Sequence, residues 1–396
     1  MTINHPTISQ NGVIRPTNVE VNLDRLTENY KAIAESVSPA KVMVILKANA
    51  YGHGMVAVAH HLVSIGADYL GVAVLEEGIL LRDSGIKAPI LVLGGIIGNQ
   101  VPLFLDNDLA ITASSIEKLQ QINEVAKTRD ITARVHLKVD TGMERIGVHY
   151  YSADSLLEAS LKCSHIEVEG IYSHFANSDA LDLDSARIQL RRFKQVLSFY
   201  DDRNLPYPPL RHMANSGAIL QLPESHFDMV RPGILFYGVY PSDEAERTVS
   251  VRPAMSWKSR VVYFKVVKPD HPVSYGSTWQ SDRLTRVVTV PVGYGDGYFR
   301  AMSGRAEVIL RGQRYPVIGR ICMDQLMVNI GWETAYNNDE VILLGEDDTT
   351  GVVISCEDLA QWAGTIPYEI LTNINTRVPR LYYGGDHGPK WSSTGA

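Results

Sequence analysis

The sequence predicts an α/β protein, an N-terminal (β/α)8 TIM barrel followed by a C-terminal mostly-β domain. Three observations carry this. Between about residue 40 and residue 235, short apolar runs, about eight of them, alternate with amphipathic stretches. No G-x-G-x-x-G follows the first run, which weighs against a doubly wound open sheet. After about Pro253 the texture changes to closely spaced β-rich runs broken by turn residues. A chain of 396 residues exceeds one ordinary core, so the division is placed at residues 1–250 and 251–396, the first ~20 residues being an N-terminal extension.

Taken in order, the first strand is Val42–Leu46, short, continuous and rich in β-branched residues, as a strand buried on both faces requires. Lys47 follows it, then the turn formers Asn49, Gly52 and Gly54. Met55, Val56, Val58, Ala59 and Leu62 then recur at helical spacing. The remaining expected strands are Tyr69–Val74, Ile90–Leu93, Leu109–Thr112, Ala133–Val139, Val168–Tyr172, Leu210–Met213 and Met229–Arg231. Helical patterns lie between them, among them Ser115–Ala126, Ser155–Leu161 and Ala186–Tyr200. In the second domain "SRVVYFKVV", "RVVTVPVG", "AEVILRG", "YPVIGRICM" and "EVILLGE" read as strands, with one helix near Ser355–Ala363. Residues before Val21 and after Lys390 are expected to be loosely held.

Composition removes several functions. A net charge of −7 with no long basic run argues against a nucleic-acid partner. No stretch approaches the ~20 apolar residues of a membrane span, and the first residues lack the apolar core of a signal peptide. Cys163, Cys322 and Cys356 are far apart with no CxxC spacing, so neither a disulfide framework nor a zinc site is indicated, and no metal is expected. A reduced, cytoplasmic protein is expected.

Barrel enzymes work at the carboxyl ends of their strands. The polar residues there are Lys47 after the first strand, Lys138, Asp140 and Arg145 in and after the fifth, His174 after the sixth, Asn215 and Ser216 after the seventh, and Arg231 after the eighth. Any one of these is ordinarily a salt-bridge partner, but together they make a cationic rim. "RPGILFYG" adds backbone N–H groups at a glycine turn that suit an anion such as phosphate. A lysine beside a phosphate site is what pyridoxal 5'-phosphate (PLP) needs, and neighbouring cations lower its pKa and free the amine to attack.

The motifs resemble those of the alanine racemases, fold-type III PLP enzymes, from about residue 17 to 385. "KANAYGHG" resembles the PLP-lysine motif, which implies Lys47 as the Schiff-base residue and Tyr51 as a phosphate contact. "LKVDTGMERIG" implies Lys138 as a lysine that is often carbamylated and Arg145 near the substrate carboxylate. "SHFANSD" places His174 by the pyridine ring, with Asp179 at the approach to the site. "HMANSGA" supplies Ser216 to the phosphate, and "VRPGILFYG" supplies Arg231 to the ring nitrogen with Gly233 and Ile234 to the phosphate. "VSYGSTW" carries the catalytic tyrosine, Tyr275, and "GYGDGYFR" carries Tyr294 and Arg300 at the approach. "GRICMDQLMV" brings Arg320 to that approach and the Met323 backbone to the substrate carboxylate, and "PYEIL" adds Tyr368 to the phosphate. Nine matches in one order across both domains are specific. Glu144 and Gly295 depart from the pattern, where the family commonly has glycine and alanine respectively.

The resemblance implies interconversion of L-alanine and D-alanine by two bases on opposite faces of the cofactor, Lys47 serving the D-isomer and Tyr275 the L-isomer, with D-alanine supplied for peptidoglycan. It also implies a homodimer in which the second domain of one subunit completes the other's site. Arginine only donates, so Arg231 at the ring nitrogen leaves that nitrogen unprotonated and limits transamination. Alternatives on the same scaffold are a racemase of serine, lysine or a broader set, and a decarboxylase, against which Arg231 argues. A non-enzymatic PLP-binding protein is disfavoured by "VSYGSTW".

Overall fold

The computed structural model describes residues 15–385 and the backbone of Ser392–Ser393. Two compact units make up the chain: one is residues 25–51 with 55–252, the other the described residues up to Asp24 with 52–54 and those from 253 onward.

The first unit is a closed barrel of eight parallel strands. They are Lys41–Ile45, Tyr69–Val72, Ile90–Val92, Ala110–Ala113, Ala133–Asp140, Ile166–Tyr172, Leu210–His212 and Met229–Val230. Closure comes from the eighth strand pairing back onto the first, Met229 opposite Lys41 and Val230 opposite Val42. Each expected strand has its counterpart within a few residues. Helices cover the outside, the longest being Asp184–Asp202, followed by Leu23–Val37 and Ile116–Thr128.

Barrel interiors are usually packed with branched aliphatic residues. Part of this one is polar. His136 and His212 are completely buried, their ring centroids 5.0 Å apart. Tyr172 stacks on His212 at 4.7 Å with an interplanar angle of 4°. The pairing of the fifth and sixth strands shifts register between Val135 and His136, a local irregularity of the kind that re-aims a side chain. Room for the His136 ring comes from Gly170 on the sixth strand, where a Cβ would lie 2.3 Å from His136 Nδ1.

The second unit is built on an eleven-stranded sheet. Its order runs Tyr263–Val267, Thr285–Val290, Leu326–Gly331, Gln313–Ile318, Glu307–Leu310, Glu340–Glu346, Met255–Arg260, Asn18–Asn22, Arg380–Tyr383 and Ser392–Ser393. Val353–Ile354 is added beside Glu340–Glu346. The stretch expected to hang loosely before Val21 is instead, from Asn18, a strand inside this sheet. It pairs antiparallel with Met255–Arg260 and parallel with Arg380–Tyr383, and Val19 and Val21 are fully buried. Its alternation of buried and half-buried residues is the pattern of a strand with one face on the core. Residues 1–14 and the side chains after Lys390 lie outside the described residues. The expected helix is Cys356–Ala363, capped by the Ser355 hydroxyl, which accepts from the Asp358 N–H at 3.0 Å.

Replacing Gly170 by alanine would push a methyl into the His136 ring. Gly170→Ala is expected to cost about 1–3 kcal/mol, the usual penalty for overpacking, read from urea unfolding.

Candidate active site

At the mouth of the barrel the chain leaves the first strand at Lys47 and makes an unusual turn. Ala48, Asn49, Ala50 and Tyr51 all have φ between 50° and 55°, a short left-handed helix of non-glycine residues. Each such residue costs about 1–2 kcal/mol relative to the right-handed form, so the turn persists only because its surroundings impose it. The Glu77 carboxylate accepts from the Ala48 N–H at 2.7 Å and from the Ala73 N–H at 2.8 Å, and the Asn49 side chain accepts from the Met55 N–H at 2.8 Å. The result leaves Lys47 at the carboxyl end of the first strand, on the rim. Loss of hydration among the surrounding protein atoms, then the charge of Arg145 and to a lesser degree that of Arg231, lowers its pKa against the opposing pull of Glu77.

Arg231, after the eighth strand, is only 3 % exposed. Its Nη1 donates to His212 Nδ1 at 2.8 Å, and its Nη2 donates to the carbonyls of Ser173 at 2.8 Å and Met213 at 3.1 Å and to His174 Nδ1 at 3.2 Å. Burial brings the guanidinium pKa down to about 10, still a cation at neutral pH. Since arginine only donates, Nδ1 of both histidines must be bare and both rings carry their proton on Nε2. Burial first, and then Arg231, hold His174 and His212 well below the ordinary histidine pKa, so both are neutral. The Nε–H of Arg231 has no partner among the described residues.

The fifth strand supplies Lys138, 4 % exposed, with its Nζ 4.3 Å from the centroid of the Tyr172 ring. Burial, then Arg231 and Arg145, push its pKa well down against the pull of Asp140, which favours the neutral amine in a recess lined by Asp140, Arg145 and His174. Asp140 shapes the following loop: Oδ1 accepts from the N–H groups of Gly142 at 2.7 Å and Met143 at 2.9 Å, and Oδ2 from Arg145 N–H at 3.1 Å. Burial alone would raise the Asp140 pKa, but these backbone donors outweigh it and hold the carboxylate ionised.

A cradle that suits an anion forms after the seventh and eighth strands. Ser216 Oγ accepts from the N–H groups of Gly233 at 3.0 Å and Leu235 at 3.3 Å, which leaves the hydroxyl hydrogen to point elsewhere. A Cβ on Gly233 would stand 2.5 Å from Tyr51 Oη and 3.8 Å from Ser216 Oγ, so the three groups meet at one point that only glycine leaves open. Tyr51 is buried against Tyr237, ring centroids 4.9 Å apart. Asp179 sits half-buried on the loop after the sixth strand, its backbone carbonyl accepting the Ser242 hydroxyl.

The other sequence-predicted residues fall in the second unit. Tyr275 is 69 % exposed at the tip of a hairpin between Pro272–Val273 and Trp279–Gln280. The tip is fixed by Ser274 Oγ donating to the Arg320 carbonyl at 2.6 Å. A groove of about 730 Å³ opens beside it, with Lys265, His271, Cys322 and Met327 among its walls. Tyr294 N–H donates to the Cys322 carbonyl at 3.0 Å and Gly295 N–H to the Met323 carbonyl at 2.9 Å. In a trans peptide C=O and N–H point opposite ways, so the first of these bonds turns Met323 N–H away from the Tyr294 loop. Arg300 is exposed on the short turn Arg300–Met302, and Tyr368 is half-buried on the helix Pro367–Thr372.

Models of the N-terminal and C-terminal domains of alanine racemase match residues 21–241 and 254–382. Alanine racemase 2 of Caldanaerobacter subterraneus subsp. tengcongensis is 43% identical over 377 residues, covering 94% of this chain and 96% of that relative. The chain belongs to the alanine racemase family. The alanine racemase structure of Clostridium difficile 630 matches with a TM-score of 0.90 at 36% identity, covering 96% of this chain and 99% of that one. A Bartonella henselae alanine racemase with covalently bound pyridoxal phosphate matches with a TM-score of 0.84 at 26% identity, covering 93% and 99%.

The two departures from the family pattern have structural correlates. Glu144 has φ 54°, a conformation natural to glycine, and its carboxylate lies 3.6 Å from His149 Nδ1. At Gly295 a Cβ would be 2.8 Å from Arg377 Nη2 and 3.0 Å from the Met323 carbonyl, so glycine makes room for that arginine. Sequence reasoning missed Arg377, Glu77, His136, His212, Glu169 and Asp296. Asp296 is a buried carboxylate that accepts from Gly293 N–H at 3.0 Å, Arg15 at 2.7 Å and Arg377 Nε at 2.6 Å. His136 had a usable signal, since it lies two residues before Lys138 and so on the same face of the strand.

Removing the Glu77 carboxylate leaves three backbone donors, those of Ala48, Ala73 and Val74, without this acceptor beside the left-handed turn. Glu77→Ala is expected to cost about 1–3 kcal/mol in urea unfolding and to weaken retention of the cofactor on dialysis.

Proposed function

We propose that this chain interconverts L-alanine and D-alanine with PLP, Lys47 and Tyr275 acting as the two bases. The observation that carries the reading is one constellation at the barrel mouth. There a lysine amine of lowered pKa, the buried donor Arg231 and the Ser216–Gly233–Tyr51 cradle are built on neighbouring strand ends. These residues fit the cofactor: an amine for its aldehyde, a donor without a protein partner for its ring nitrogen, and the hydrogen of the Ser216 hydroxyl at a glycine turn for its phosphate. PLP, when bound, withdraws electrons from the substrate Cα and makes its proton acidic.

The chain's own groups do the rest. Lys47, its pKa lowered by loss of hydration and by Arg145, takes or returns the Cα proton on the D side. Ser216, Gly233 and Ile234 hold the phosphate, with Tyr51 and Tyr368 beside them. Arg231 donates to the ring nitrogen and gives it no proton, while His174 stays neutral next to it. Arg145 receives the substrate carboxylate together with the Met323 N–H of the second copy that brings Tyr275, and Asp179 lines the approach with that copy's Tyr294, Arg300 and Arg320. Lys138 suits carbamylation for a physical reason. Its neutral amine attacks CO2 and loses a proton, and the resulting anion offsets Arg145 and Arg231.

Tyr275 serves the L side from a second copy of the chain. Its exposure supports this, as does the apolar edge strand near it, where Tyr263, Phe264 and Val266 are all exposed. No helix among the described residues is long and apolar enough to cross a membrane, and all three cysteines are free. Together these support a cytoplasmic enzyme. The chiral product analysis that tests the activity also tests the shared site. Lys47→Ala and Tyr275→Phe chains should each be inactive, and heterodimers made by mixing them should recover up to about a quarter to a half of wild-type D-alanine formation. Heterodimers that stay inactive exclude a shared site. A panel of L-amino acids in the same assay separates alanine from serine, lysine and broader specificities.

Lys138 gives a pH prediction with a definite sign. Its pKa is lower in the folded chain than in the unfolded one, so below the unfolded value of about 10.4 the unfolded state holds the extra proton and folding is penalised. In CO2-free buffer Lys138→Met should melt higher than wild type at pH 7, and the gap should shrink as pH rises toward 10. Added bicarbonate should raise the wild type alone.

A further inference from the structure

Arg231 is a buried cation whose hydrogen-bond partners are all neutral, two imidazoles and two carbonyls. A charge in that position needs a countercharge within the same interior. Following the hydrogen bonds outward from Nη1 leads to one. His212, its Nδ1 occupied by Arg231, has only Nε2–H to offer, and Nε2 lies 2.8 Å from His136 Nδ1. His136 therefore accepts on Nδ1 and donates from Nε2, which lies 3.3 Å from Glu169 Oε2. The Tyr69 hydroxyl donates to the same oxygen at 2.9 Å. A guanidinium cannot accept, so the direction of every link is set from the arginine end, and the run must finish on an acceptor. Glu169 is that acceptor. Burial would raise its pKa, but the bonds from His136 and Tyr69 and the charge of Arg134 outweigh this and keep it ionised.

We propose that Glu169 is a positioning residue of the racemase site: through His136 and His212 its carboxylate fixes the Arg231 guanidinium and tempers its acidity toward the cofactor ring. The proposal rests on the alanine racemase reading of the rim. Hydrogen bonds in a chain polarise one another, so an anion at one end enriches His136, then His212 Nδ1, and strengthens the pull on Arg231 Nη1–H. A stronger acceptor at Nη1–H leaves more electron density on the guanidinium as a whole, which makes its unpartnered Nε–H a weaker acid. A ring nitrogen facing it then receives a hydrogen bond and no proton. The fold commits space to this run. The register shift at His136 and the missing side chain at Gly170 both serve to seat an imidazole where barrels ordinarily place aliphatic carbon.

The test is Glu169→Gln, which keeps the shape and an oxygen for His136 and removes the charge. In the holoenzyme the variant should convert alanine to pyruvate, the abortive transamination product, about 10-fold more often per racemisation, with KM for alanine within about 3-fold. The absorbance band of the bound cofactor should shift, and the Nε2–H resonances of His136 and His212 in 15N-labelled holoenzyme should move toward weaker hydrogen bonds. A part that only packs the barrel would change the melting temperature and leave product ratio, band and resonances where they were; that result overturns the proposal. Should the variant fail to fold, the wild type still decides. The groups facing the two rings are Arg231, Lys138, Tyr172, Tyr69, Glu169 and Arg134. Among them both imidazoles must stay neutral with hydrogen on Nε2 at pH 6, where an ordinary histidine is mostly protonated. A protonated ring, or hydrogen on Nδ1, overturns the proposal. A wild type that racemises nothing defeats the function assigned to the rim, and the histidine spectra report on the run independently of that.

Discussion

A guanidinium buried at the end of the eighth barrel strand donates from both terminal nitrogens and can accept from none, so every group packed on it must present a lone pair. That requirement propagates. It keeps two histidines neutral, fixes which nitrogen of each carries hydrogen, and turns the Ser173 and Met213 carbonyls inward at the ends of the sixth and seventh strands. The same cation pushes down the pKa of Lys138 and contributes to lowering that of Lys47. One permanently charged side chain thus sets the protonation states of the rim without itself taking part in proton transfer.

The second constraint is conformational. A left-handed turn of Ala48, Asn49, Ala50 and Tyr51 is unfavourable for every residue in it, yet it lies between a buried strand and a helix that both hold their ends in place. The turn changes the direction of the chain within four residues, so Lys47 and Tyr51 are brought to the same mouth from a short span of sequence. A right-handed helix starting at Lys47 would carry Tyr51 one turn along the axis and away from the Gly233 cradle. The strain is thereby part of how amine and anion site share one rim.

The architecture was legible because eight short β-branched runs separated by helical patterns leave few alternatives, and the strand ends then named the cationic residues without any knowledge of relatives. Tyr275, Met323, Arg300 and Arg320 were legible only through motif resemblance, because nothing in local physics separates Tyr275 from the other tyrosines among 19. His136, His212 and Glu169 escaped for a different reason. A strand-interior histidine scores as a break in an apolar run, and only the closed barrel shows that the three side chains meet. Asp296 binds Arg15 across 281 positions, a pairing that no window along the chain can reveal. The strand Asn18–Asn22 was missed because it is polar at every second position and lies far from its partners.

Electrostatics ties these layers together. The chain carries a net charge of −7, yet its barrel mouth gathers Lys47, Lys138, Arg145 and Arg231 with no carboxylate ion-paired to any of them among the described residues. A cationic concavity on an anionic protein focuses field lines onto itself and draws anions there against the overall repulsion. A phosphate and an amino acid carboxylate are both anions, whereas the substrate's ammonium must lose a proton before it can react with an aldehyde, and the same field favours that loss. Glu77 and Asp140, the acidic groups nearest the rim, are spent on backbone N–H groups and shape the turns while leaving the positive field largely in place. The placement of carboxylates therefore matters as much as that of the cations: held on backbone or at the far end of a histidine run, they supply order and charge balance without filling the mouth.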